Sequence, residues 1–237
     1  MQTAIIFDCN LYLARLADHG VDTTDAMLYY TVDRSWESAK QALAIGKALG
    51  EKVIIMSTST GGTLALALAA EFPDDVYALI NMSPNVKIND PLAWIGNNHW
   101  GAQIGKMVKG ESIYAAGEDS LYNQYWSNPF RIEAAAELEE MVEDKMTAET
   151  FKKVKCPSLS LYYYNNEKQQ DQTVAVKAII EMNKQLGTPD SLKEAIAIPN
   201  AGDHVMGSYI KSKDLEGVQR EIRKFAIEKL KLKPVSE

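Results

Sequence analysis

Residues 53–70 read VIIMSTSTGGTLALALAA. Four apolar residues of strand character break into four hydroxyl side chains and two glycines, and the chain then becomes small, apolar and helix-forming. A strand that feeds a helix through so short a corner restricts the chain to folds in which strands and helices alternate. The rest of the chain fits that restriction. NLYLARL (10–16), VYALINMSP (76–84), SLSLYYYN (158–165) and EAIAIP (194–199) predict further strands. Several are apolar at successive positions, as strands covered on both faces of a parallel sheet must be. Between them, amphipathic helices are predicted over 36–50, 63–72, 173–187 and 215–232. Gly50 is expected to close the first in a left-handed conformation, and Pro73 and Gly187 to stop the next two. The expected architecture is α/β, a mostly parallel sheet flanked by helices on both faces.

One stretch interrupts the alternation. Residues 86–150 contain no convincing strand, yet they hold Trp94, Trp100, Tyr114, Tyr122, Tyr125, Trp126 and Phe130. Linkers are poor in aromatic residues, so an inserted helical subdomain is expected. The core is then built from 1–85 and 151–237. Within the insert, ELEEMVED (137–144) is expected to present a solvated acidic face, with Leu138, Met141 and Val142 turned inward.

Composition removes whole classes of function. A net charge of −7 and a pI near 5.1 argue against a nucleic-acid surface, which needs a basic stripe. No apolar run approaches the roughly 20 residues of a membrane span. The opening MQTAIIFDCN lacks a basic segment followed by a long apolar core, so as written a cytoplasmic location is expected. Cys9 and Cys156 form neither a metal pattern nor a disulfide framework, and His19, His99 and His204 are too few and scattered for a metal centre. No metal and no cofactor are expected.

The corner itself suggests nucleophilic chemistry. A serine nucleophile must stand clear of its neighbours so that a base and a substrate can reach its hydroxyl from different sides. A tight strand-to-helix turn does this, and small residues two positions either side make room for it. Here the pattern is Ser57-Thr58-Ser59-Thr60-Gly61, with Gly62 added and Ser57 standing where a glycine is usual. The plainer alternative is a Ser/Thr-rich helix cap. An anion-cradling loop is a third possibility, but neither Gly-x-Gly-x-x-Gly nor a Walker lysine is present. His204, in IPNAGDHVM just past the last predicted strand, stands where open α/β sheets place their sites, and its imidazole suits taking a proton from serine. For the third member, Asp171 and Glu167 both lie in the loop after SLSLYYYN; Asp171 is preferred because Asp-x-x-Val leads into the next helix.

On STSTGGTLALALAAEFPDDVYALINMSPN, CPSLSLYYYNNEKQQDQTV and IPNAGDHVM, the chain resembles the α/β-hydrolase family, in particular its carboxylesterase and monoacylglycerol-lipase-like branch. The resemblance spans nearly the whole sequence and keeps the family's order of serine, acid and histidine. It implies Ser59 as nucleophile, His204 as base, Asp171 as acid and the Thr60 backbone N–H as oxyanion donor. It also implies a cap over 86–150, with Trp94, Trp100 and Trp126 walling an acyl pocket, unless they form the insert's own core. The activity implied is serine hydrolysis of a small-molecule carboxylic ester through an acyl-enzyme.

Two departures carry expectations of their own. The family's second oxyanion donor comes from a His-Gly loop after a third strand. Here LYLARLADHG looks like the fourth strand, so His19-Gly20 follows the wrong one and the N-terminal strands are apparently lacking. Losing one donor costs about 2.7–4 kcal/mol, so the alternative is a catalytically impaired binding module. Strand 10–16 is also expected to pair directly with strand 53–58, or the exposed sheet edge to be filled by another copy in a homo-oligomer.

Overall fold

The computed structural model describes residues 2–19, 27–90 and 129–235, together with positions 110, 112–113, 121 and 124–126. Strands β1 (Val53–Thr58), β2 (Val76–Met82), β3 (Ser158–Tyr162) and β6 (Lys193–Ala197) form one parallel sheet in the order β1-β2-β3-β6. After β3 the chain makes a short antiparallel hairpin, β4 (Tyr164–Asn166) with β5 (Gln169–Gln170). The helices are α1 (Gln2–Ile6), α2 (Val32–Leu49), α3 (Thr60–Glu71), α4 (Ile132–Lys145), α5 (Ala148–Lys153), α6 (Val176–Gln185) and α7 (Leu215–Glu228).

Local chemistry sets where these helices begin. α2 starts four residues ahead of the predicted Trp36 because Thr31 accepts the Arg34 N–H at 3.2 Å, an N-cap. Thr147 does the same for Thr150 ahead of α5, and Asp214 for Gly217 ahead of α7.

The sheet is covered on both faces, which is why β2 reads as an almost unbroken apolar run and every residue of β3, its two serines included, is buried. On one face α3 and α6 bury Leu64, Leu68, Leu79, Ile179 and Met182. On the other, α7 packs Val218, Ile222 and Phe225 against Ala78, Ile80, Leu159 and Leu161. Met141 of α4 and Phe151 of α5 join the first cluster, so both helices lie on α3; Met141 and Val142 are buried as the 137–144 pattern predicts, but Glu139 of the expected solvated face is buried as well. None of the described helices is long and apolar enough to cross a membrane. Both cysteines are free, Cys9 exposed and Cys156 half-buried, and burial pushes the Cys156 thiol up to about 11.

Three expectations need correction. Residues 10–16 form no strand, and among the described residues β1 is the outer strand of the sheet. The segment is tied to α2 instead: the Asn10 amide donates to the Leu49 carbonyl at 2.6 Å and the Ala17 N–H to Ser38 Oγ at 3.1 Å. Its apolar alternation therefore finds no sheet face to bury, and Leu13 is 70% exposed. Gly50 ends α2 with φ −166°, an extended conformation open to any residue, rather than in the left-handed region. Lastly, the 86–150 segment does contain strand: Ser112–Ile113 pairs antiparallel with Phe130–Arg131.

Chemical denaturation should separate the two environments. Phe225→Ala, at a fully buried ring, should cost about 3–5 kcal/mol. Leu13→Ser should stay within about 0.5 kcal/mol of the parent.

Candidate active site

Ser59 occupies the corner between β1 and α3 with φ 75° and ψ −113°. A non-glycine residue at positive φ costs about 1–3 kcal/mol and persists only where its surroundings impose it. Here the end of β2 imposes it. The Ser59 N–H donates to the Met82 carbonyl at 3.3 Å, and the Ser59 carbonyl accepts the Asn85 N–H at 2.9 Å. Thr63 Oγ1 donates to the Asn85 carbonyl at 2.6 Å, which ties the first turn of α3 to the same segment. Ser83, next to these partners, is itself at φ 45° and fully buried.

The glycine that this packing demands is Gly62. A Cβ there would lie 2.6 Å from the Pro84 Cβ and 2.7 Å from its Cα, contacts that backbone cannot yield. At Gly61, the glycine of the five-residue pattern, the nearest atom would be Ser57 Cβ at 3.4 Å. Ser57 stands at the usual glycine position, where its hydroxyl donates to Asn81 Oδ1 at 2.7 Å.

His204 hangs from the loop after β6. Gly202 in that loop has φ 71°, the left-handed region, and lies against the Lys213 side chain, so AGDH needs its glycine. Asp203 then accepts the Val205 N–H at 2.9 Å, fixing the turn around the imidazole. His204 Nε2 is 2.8 Å from Ser59 Oγ, and Nδ1 is 2.8 Å from Asp171 Oδ2. Because Nδ1 faces a carboxylate, it carries the proton, and Nε2 is left to accept from the serine hydroxyl.

Asp171 follows the β4–β5 hairpin and is 1% exposed. Its second oxygen accepts the N–H groups of Thr173 (2.9 Å) and Val174 (3.1 Å). Burial pushes its carboxyl up, but the hydrogen bond and charge of His204, with those two N–H groups, outweigh it and hold the group below the usual carboxylate value. The segment leaving β2 zips onto this loop. The Ala175 N–H donates to the Lys87 carbonyl at 2.8 Å, the Asn89 N–H to the Thr173 carbonyl at 2.9 Å, and Ile88 bridges Val174.

The structure thus brings Ser59, His204 and Asp171 together at one end of the sheet and leaves Glu167 out. Glu167 lies exposed at the hairpin tip, 4.0 Å from Lys177. The Thr60 N–H, at the first position of α3, meets no acceptor among the described residues, as is usual in the first turn of a helix. Trp126 is half-buried with its ring edge-on to Tyr125 at 6.3 Å. Trp94 and Trp100 lie outside the described residues. His19 sits by the 10–16 segment, its Nδ1 at the Ala17 carbonyl and its ring edge-on to Tyr30, away from this chemistry.

Sequence reasoning missed Asn81 and its strand neighbours. The signal was present as polar residues at alternate positions, Asn81 in β2 with Ser83 just past its end, and Ser158 and Ser160 in β3.

A parallel sheet with helices on both faces, a strand-turn-helix serine and a histidine after the last strand define an α/β-hydrolase fold. Solved structures agree. A lipolytic enzyme described with LipS and LipT, two enzymes from a metagenome, superposes with a TM-score of 0.68 at 16% identity, covering 89% of this chain and 79% of its own. A monoacylglycerol lipase from Paleococcus ferrophilus gives 0.61 at 15% identity, covering 84% and 76%. Est1E from Butyrivibrio proteoclasticus gives 0.55 at 15% identity, covering 85% and 72%. At such identities the likeness is one of fold. No family model matches the sequence, and no curated protein matches it.

Two outcomes test this geometry. Gly62→Ala should lose about 1–3 kcal/mol of stability in denaturant titration, whereas Gly61→Ala should be far milder. Because the Asp171 pKa is lowered by folding, its contribution is present above the unfolded value of about 3.9 and is lost as pH falls through the folded one. Stability measured from about pH 5 downward should therefore fall less steeply with acid in Asp171→Asn than in the parent.

Proposed function

We propose that the protein is a serine hydrolase that cleaves a carboxylic ester through an acyl-enzyme. The observation that carries this reading is the continuous hydrogen-bonded chain from Ser59 through His204 to a buried Asp171, both links 2.8 Å long.

Ser59 Oγ attacks the ester carbonyl while its proton passes to His204 Nε2. Asp171 holds the imidazole by Nδ1 and stabilises the imidazolium that forms. The oxygen of the tetrahedral intermediate faces the Thr60 N–H, where the N-terminal end of α3 adds a favourable dipole. Collapse of the intermediate expels the alcohol, which takes the proton back from Nε2. A water then repeats the sequence on the acyl-serine, losing its proton to His204 and releasing the acid.

The substrate class is an ester with a lipophilic acyl part, in keeping with the lipolytic and esterase enzymes that share the fold. The 86–150 segment supplies the cap over the acyl group, with Trp126 among its aromatic residues, while Val86 and Met141 near its two ends pack into the core with α3. The non-catalytic alternative gains no support from the site: a binding module has no need of a buried carboxylate aligned behind a histidine.

Nitrophenyl esters of short and medium acyl chains should be hydrolysed by the parent. Ser59→Ala should lose about 10⁴–10⁶-fold in kcat and Asp171→Asn about 10⁴-fold. A fluorophosphonate probe should label the parent at Ser59. Equal turnover and equal labelling in the parent and Ser59→Ala would overturn the proposal.

A further inference from the structure

We infer that Asn81 is a positioning residue for the Ser59 turn, acting through the hydroxyl of Ser57; this rests on the hydrolase reading above. Asn81 lies in the middle of the sheet and is fully buried, where an amide is costly unless its hydrogen bonds do something an apolar side chain could not. What it does is hold Ser57. The Ser57 hydroxyl donates to Asn81 Oδ1 at 2.7 Å, its one partner among the described residues.

The register explains why this bond bears on the nucleophile. Ser57 of β1 and Ser160 of β3 are the two in-register neighbours of Asn81, so a row of buried polar residues crosses three strands. Asn81 and Met82 together then control both sides of the corner. The Asn81 side chain holds position 57, and the Met82 carbonyl holds the N–H of position 59. Since β1 is the outer strand, β2 is the neighbour that can restrain its C-terminal end. A glycine at position 57 would offer no such handle.

The row also has bonding capacity to spare. Asn81 Nδ2, Ser83 Oγ and Ser160 Oγ are buried without a partner among the described residues. An arrangement chosen for packing alone would leave these positions apolar. Polar side chains are kept here at a cost, next to a strained serine, and the bond that Asn81 does make is the one that reaches the turn.

The test is a double-mutant cycle of Ser57→Ala and Asn81→Leu, read by kcat and KM on a nitrophenyl ester, by the rate of fluorophosphonate labelling and by melting temperature. Each single change breaks the same tie, so each should lower kcat and the labelling rate by about tenfold, the equivalent of one ordinary hydrogen bond, with KM little changed. The double variant should be no slower than the slower single. Losses that multiply, a change confined to KM, or a lowered melting temperature with unchanged kcat would overturn the inference. If Asn81→Leu does not fold, an unchanged kcat in Ser57→Ala alone overturns it. Failure of the hydrolase reading looks different: the parent would then be labelled no faster than Ser59→Ala, whatever the cycle gives.

Discussion

A serine held at φ 75° would relax into an ordinary turn if the chain around it were free to move. It is not free, because the segment from Asn81 to Asn85 grips the corner from one side. Backbone bonds from Met82 and Asn85 fix Ser59, the Thr63 hydroxyl anchors α3 to Asn85, and Gly62 lets the helix settle against Pro84. The direction of α3 and the place of the Ser59 hydroxyl beside His204 both depend on this grip. Several weak contacts, each of about 1 kcal/mol, together hold a conformation that none could hold alone.

The electrostatics of the site follow from a similar division of labour. Asp171 is buried deeply enough that an unpaired carboxylate would resist ionising, yet three donors converge on its two oxygens and keep it charged. Its loop is clamped in turn by the segment that runs on from β2. One stretch, residues 81–90, therefore supports Ser59 at its start and the Asp171 loop at its end. Its second half already belongs to the 86–150 segment, so the strut of the site is also the stalk of the proposed cap.

What could be read in advance was what local sequence controls. The strand-turn-helix around Ser59 and the buried β2 and β3 rest on short-range patterns and were legible. The 10–16 segment was not, because a strand is a property of its neighbours: NLYLARL has the apolar content but attaches to α2 through Asn10 and Ala17. Gly50 misled in a related way, since glycine permits a left-handed cap without requiring one. The choice between Asp171 and Glu167 turned on a two-residue hairpin strand that no periodicity can announce. Asn81 was hidden by its setting, an amide in a strand whose other residues all spoke for an apolar core.

The three groups of the site are separated by 145 and 33 positions in the chain, and each depends on a different strand of the sheet. Local order cannot bring them within hydrogen-bonding distance; only closure of the longest loops can, and those are the slowest contacts for a polypeptide to form. The contacts among Ser59, His204 and Asp171 would then form late during refolding, after the bulk of the helices have registered in circular dichroism. Under the proposed activity, the lag between recovered ellipticity and recovered turnover would time the docking of the final strand, making Ser59 a clock for the completion of its own scaffold.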